Sequence, residues 1–139
     1  MIRQQLVRDL SSDEKKWLAL AIATLIISDE HVTEDEMQHL KDAWTFLETK
    51  QEIERLVHYV RQRKVPPLKP LIIDRKHAVM IFLYLIRTVV SDGQLREGEF
   101  KELEEMALRL GIFGDLKEEL LTWALDFSKL NKRLIDFLK

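Results

Sequence analysis

Two stretches of this chain are apolar at almost every position, WLALAIATLII (17–27) and HAVMIFLYLIRTVV (77–90). Each leads into a short acidic run and then into an amphipathic segment. A helix on a protein surface shows a polar stripe, so a segment apolar on nearly all sides belongs at the centre of a fold. A short buried strand gives a similar run. Ala19, Ala21 and Ala23 favour helix in the first stretch. The second is richer in Val, Ile and Phe, and is read as helix through its likeness to the first.

The flanking signals agree with helices. Ser11 and Glu14 have the spacing of a capping box ahead of the first apolar stretch. After the first acidic run, Met37, Leu40, Ala43, Trp44 and Leu47 recur at helical spacing, as do Phe100, Leu103, Met106, Ala107 and Leu110 after the second. Ile53, Leu56, Val57 and Val60 mark a further helix over about 51–63. All three prolines fall in RQRKVPPLKPLIIDRK (61–76), which predicts an extended connector that ends where Asp74 caps the next helix. Gly111 is placed to end a helix in the left-handed conformation. From Gly114 to Lys139, Leu120, Leu121, Trp123, Ala124, Phe127, Leu130, Leu134, Ile135 and Leu138 predict one or two more amphipathic helices.

The two apolar stretches belong to a repeat with an offset of 63. SDEHVTEDEMQHL (28–40) aligns with SDGQLREGEFKEL (91–103), matching Ser28 to Ser91, Asp29 to Asp92, Glu34 to Glu97, Glu36 to Glu99 and Leu40 to Leu103. Val32 with Leu95 and Met37 with Phe100 keep apolar character at the same offset. The expected architecture is therefore all-α: one helical bundle of about 6–8 helices with an internal two-fold repeat of buried helix, acidic turn and helix. Repeat one spans 12–63, the connector 64–73, repeat two 74–112 and the C-terminal helices 114–139, within a single domain of 139 residues.

Composition narrows the function more than the fold. A formal net charge of −2 argues against binding nucleic acid by phosphate neutralisation. The absence of Cys removes disulfides, thiolate metal sites and cysteine nucleophiles. No Ser lies in a Gly-x-Ser-x-Gly context, and the four isolated glycines form no phosphate loop. The opening MIRQQLVRDLSSDEKK lacks the features of a secretory signal, and the apolar stretches fall short of the roughly 20 residues a membrane-spanning helix needs. The expectation is a cytoplasmic protein without enzymatic activity.

The acidic runs carry the candidate chemistry. Each pairs an Asp with a Glu seven residues on: Asp29 with Glu36, and Asp92 with Glu99. Hard divalent cations take several oxygen ligands, and carboxylates on either side of a turn can converge on one ion. Asp92-Gly93-Gln94-Leu95-Arg96-Glu97-Gly98-Glu99 matches the back half of an EF-hand loop, but Thr88 and Val90 stand at the earlier ligand positions, so a calcium-sensor EF-hand is rejected. One turn alone offers too few ligands. If the buried helices run parallel, both turns share one end and can build one site; if antiparallel, a joint site is impossible. The competing reading is local: Thr33 and Glu36 have capping-box spacing, and acids in a first helical turn favour the helix dipole. Glu99 is expected to lack such a partner, because Arg96 occupies the cap position. Glu36 and His39 have the spacing of a di-iron helix pair, yet neither buried helix offers the inward carboxylates such a site needs. His39 reads as a surface histidine, and His58 and His77 are assigned no role.

The pattern of an apolar helix ending in Asp-Gly, an apolar residue two later and a Glu opening the next helix resembles the TerB-like family of tellurite-resistance proteins and the related helical domain of the DjlA co-chaperones. The residues that carry the likeness are SDGQLREGEFKELEEMALRLGI (91–112), with SDEHVTEDEMQHL (28–40) as a second copy, over about residues 13–112. The first copy departs from the pattern in having Glu30 where the Gly stands. The resemblance implies an all-α fold, an acidic metal site at Asp29, Glu36, Asp92 and Glu99, and a role in stress-response complexes near the membrane. Oxygen ligation points to Ca²⁺, Mg²⁺ or Mn²⁺. A protein partner is expected, with the basic 61–76 stretch as a point of contact with anionic lipid at the inner face of the membrane. Two other readings stay open: a metal-free interaction module using its acidic face, and a metal-dependent hydrolase with one carboxylate as general base.

Overall fold

The computed structural model describes residues 8–28, 34–90 and 96–139, with the side chains of Asp35 and Glu36 outside that description. Over these residues the chain forms six helices: α1 (Ser12–Ile27), α2 (Glu34–Trp44), α3 (Lys50–Gln62), α4 (Arg75–Val89), α5 (Glu97–Arg109) and α6 (Gly114–Phe137). No strand occurs among the described residues. The C-terminal segment is a single helix of 24 residues rather than two.

The predicted start signals operate as read. Ser11 and Glu14 close a capping box at the head of α1, with Ser11 N–H donating to Glu14 Oε1 at 2.8 Å and Glu14 N–H donating to Ser11 Oγ at 3.2 Å. Asp74 caps α4 by accepting from the His77 N–H at 3.3 Å. At the end of α5, Gly111 takes φ 77°, and Ile112 N–H and Gly111 N–H return to the carbonyls of Ala107 and Leu108. That pairing is a Schellman motif, and it satisfies carbonyls the helix leaves open.

α1 and α4 form the centre. Trp17, Leu18, Ala19, Ala21, Ile22, Ala23, Leu25 and Ile26 are buried in α1, and Ala78, Ile81, Phe82, Tyr84, Leu85, Ile86, Thr88 and Val89 in α4. Leu40 and Ala43 of α2, Leu56 of α3, Leu103, Met106 and Ala107 of α5 and Leu121 and Ala124 of α6 close around them. The helix starts in the two halves are in register: α1 and α4 begin 63 residues apart, at Ser12 and Arg75, and so do α2 and α5, at Glu34 and Glu97.

The connector is extended yet attached. Trp17 Nε1–H donates to the Lys69 carbonyl at 2.7 Å, Arg109 Nε–H to the Leu68 carbonyl at 2.9 Å, and Leu71 N–H to the Arg109 carbonyl at 2.8 Å. Val65, Leu68, Leu71 and Ile73 are partly buried against the core. These bonds satisfy backbone groups that prolines and extended geometry leave without helical partners.

Candidate functional site

The direction of the central helices follows from four contacts. His77, in the first turn of α4, lies 3.9 Å from Asp9, just ahead of α1. The connector residues Lys69 and Leu71, a few positions before α4, touch Trp17 near the start of α1 and Arg109 at the end of α5. At the other end, the Ser28 carbonyl lies 3.6 Å from where a Cβ on Gly98 would stand, so the end of α1 abuts the first turn of α5. α1 and α4, 16 and 15 residues long, therefore begin side by side and run parallel, while α5 returns antiparallel to both.

Both central helices end on a carbonyl that a distant side chain caps. The Ile27 carbonyl accepts from Arg63 Nη2 at 3.0 Å, and the Val90 carbonyl from Asn131 Nδ2 at 2.6 Å. Ile27 and Val90 occupy equivalent positions at the offset of 63. A guanidinium at a helix C-terminus opposes the negative end of its dipole. Arg63 reaches this place from a left-handed backbone of φ 53° that ends α3, with Lys64 N–H returning to the Tyr59 carbonyl.

Of the four expected site residues, Glu99 alone is described at its side chain. It sits in the first turn of α5 at 1% exposure. Its Oε1 accepts the Arg96 backbone N–H at 3.2 Å and lies 3.7 Å from Arg96 Nη1. This corrects the expectation that Glu99 lacks a capping partner: the reciprocal bond of a capping box comes from the cap residue's backbone, so Arg96 provides it despite having no side chain that can accept. Asp29 and Asp92, with Thr33, Gly93 and His31, lie outside the described residues, as does the Glu36 side chain. Among the described residues no group of three or more His, Asp or Glu side chains is placed to hold a metal ion.

The histidines divide. His39 is half-buried rather than fully on the surface. His77 has the acidic partners its sequence reading did not assign: its Nδ1 contacts Asp74 and its Nε2 faces Asp9. The hydrogen bond with Asp74 holds the His77 imidazole above its ordinary 6.5, against a smaller opposing effect of burial. The same bond holds the Asp74 carboxyl below its ordinary 3.8. Glu102, the counterpart of His39 at the repeat offset, is pushed up by burial and by neighbouring Glu105.

Two concavities accompany these features. One lies between α1 and α3, lined by Lys16, Leu20, Glu52, Arg55 and Tyr59, with Lys16 paired to Glu52 at 3.5 Å. The other lies between the connector and the α5–α6 corner, lined by Leu71, Ile73, Arg75, Leu110 and Phe113. Glu99 lines neither. Comparison with protein-family models, with curated proteins and with solved structures returns no match to this chain. Among the described residues, no helix is long and apolar enough to cross a membrane.

Proposed function

We propose that this protein is a non-enzymatic, TerB-like stress-response domain that binds a divalent cation through carboxylates of its two acidic turns. The observation that carries the reading is the parallel course of α1 and α4, with the Ser28 carbonyl against the first turn of α5. Ser28 directly precedes Asp29, and Gly98 directly precedes Glu99. In this reading Asp29, Glu36, Asp92 and Glu99 supply oxygen ligands to Ca²⁺, Mg²⁺ or Mn²⁺, and occupancy regulates docking of a cytoplasmic protein partner near the membrane. Glu99 is buried and fixed by its contacts with Arg96, so one of the four carboxylates is held in place in the first turn of α5.

One observation favours the metal-free interaction module instead. Glu99 already engages the Arg96 backbone and guanidinium, which is the local helix-start role. Unfolding of chelator-treated protein across a panel of Ca²⁺, Mg²⁺, Mn²⁺ and Zn²⁺ separates the two, beside an Asp29→Asn/Asp92→Asn variant that leaves the Glu99 cap intact. An ion at about 100 times its dissociation constant adds roughly 2.7 kcal/mol. A saturable gain in the parent and none in the variant is the expected result. Equal behaviour of the two proteins with every ion rejects the cation site and leaves the interaction module.

A further inference from the structure

α6 carries two apolar seams; the body of the protein covers one of them and touches the other at Leu120 and Phe127, which are partly buried against the core. Leu121, Ala124 and Ser128 are buried against the bundle, with Asn131 and Ile135 continuing that line. One residue out of phase runs a second line: Leu120, Trp123, Phe127, Leu130, Leu134 and Phe137. Its spacings alternate three and four, the heptad pattern of a helix seam that meets another helix. Trp123 is 43% exposed, Leu130 61%, Leu134 54% and Phe137 75%. Trp123 and Phe127 stack at 5.1 Å, forming an ordered aromatic platform within this seam.

Charge along the same helix selects the occupant. Residues 114–126 hold four acids and one base, and residues 127–139 hold four bases and one acid. A helix acidic in its first half and basic in its second is complementary to an antiparallel copy of itself and repels a parallel one. In an antiparallel pair Leu120 lies opposite Phe137, Trp123 opposite Leu134, and Phe127 opposite Leu130 of the second copy, with Leu120 and Phe127 also packed against their own core. The same register sets Asp126 beside Arg133 at the flanking position, twice by symmetry.

We propose that the exposed seam of α6 is a self-association surface, pairing antiparallel with α6 of a second copy of this chain. The contact is isologous, so it closes as a dimer.

Sedimentation of the full chain over a concentration series, with cross-checks by light scattering, tests the pairing. The parent is expected to be a dimer, and Leu130→Glu/Leu134→Glu a folded monomer, because both residues lie on the outward seam. Asp126→Arg and Arg133→Asp are each expected to weaken the dimer by about tenfold, since every change is made twice in a two-fold interface. Their combination restores it. A parent that is monomeric throughout overturns the proposal, and flotation of that monomer with phosphatidylserine vesicles then assigns the seam to a lipid surface. A dimer that persists in Leu130→Glu/Leu134→Glu, or a double charge reversal without recovery, also overturns it.

Discussion

Arg63 combines an unfavourable backbone with a favourable side chain. Its φ of 53° is a conformation that costs a non-glycine residue roughly 1 kcal/mol, while its guanidinium caps the Ile27 carbonyl at 3.0 Å. Arg63→Ala keeps the strain and loses the cap; Arg63→Gly loses the cap and relieves the strain. Denaturant unfolding is expected to place Arg63→Ala below Arg63→Gly by about 1 kcal/mol, with the glycine variant close to the parent. Equal stability of the two variants would mean that the backbone carries no such strain. Trp17 offers a simpler case, because its buried indole N–H holds the Lys69 carbonyl at 2.7 Å. Trp17→Phe is expected to cost about 1–3 kcal/mol, read from the same unfolding curves. Local caps were legible because cap and recipient stand three positions apart, as at Ser11 and Asp74. Arg63 was not, since its recipient lies 36 positions away and nothing in sequence reports that distance.

The start of α4 is where charge and helix geometry act together. Asp74 accepts the His77 N–H as a cap and also pairs with the His77 ring, with Asp9 facing the other nitrogen and Glu14 adding a further negative field. His77 is raised above 6.5, so its contribution is complete below that pH and is lost as pH rises through the folded value. Asp74 is lowered below 3.8, so its contribution is complete above that pH and is lost as pH falls through the folded value. The pair therefore stabilises α4 most between about pH 4 and 6.5. Asp74→Asn keeps a good helix cap and removes the charge. The stability gap between parent and Asp74→Asn is expected to be widest in that window and to narrow above it. Titration of the His77 ring by NMR should return toward 6.5 in the variant; an unmoved value would dismiss Asp74 as its cause. Asp74 was recognised as a cap from sequence, but its second role was missed because a cap reading looks at the backbone N–H alone. The length of α6 was half-legible for a related reason: its apolar positions predict helix, but periodicity does not say whether one helix or two satisfies it.

The whole molecule depends on α1 and α4 being surrounded, and that part was visible in the hydrophobic pattern before any contact was known. What the pattern could not supply was their mutual direction, since apolar helices of equal length bury the same surface whether parallel or antiparallel. Direction came from sparse contacts, the ion pair of Asp9 with His77 and the close approach of the Ser28 carbonyl to Gly98, that join residues far apart in sequence. The consequence for stability is that one core serves every helix, with buried side chains contributed by all six. Phe82, at 0% exposure in α4, lies in that shared core. Phe82→Ala is expected to cost about 3–5 kcal/mol, a large share of the roughly 5–15 kcal/mol that holds a domain folded. Because the core is shared, the loss should lower one transition rather than release a subset of helices. Circular dichroism at 222 nm reports all helices, whereas Trp fluorescence reports Trp17, Trp44 and Trp123 in α1, α2 and α6. Coincident midpoints by the two probes, shifted down together in Phe82→Ala, are the expected outcome. Separated midpoints would divide the chain into two folding units, and the parallel packing of α1 and α4 would then be a docking of halves rather than the centre of one core.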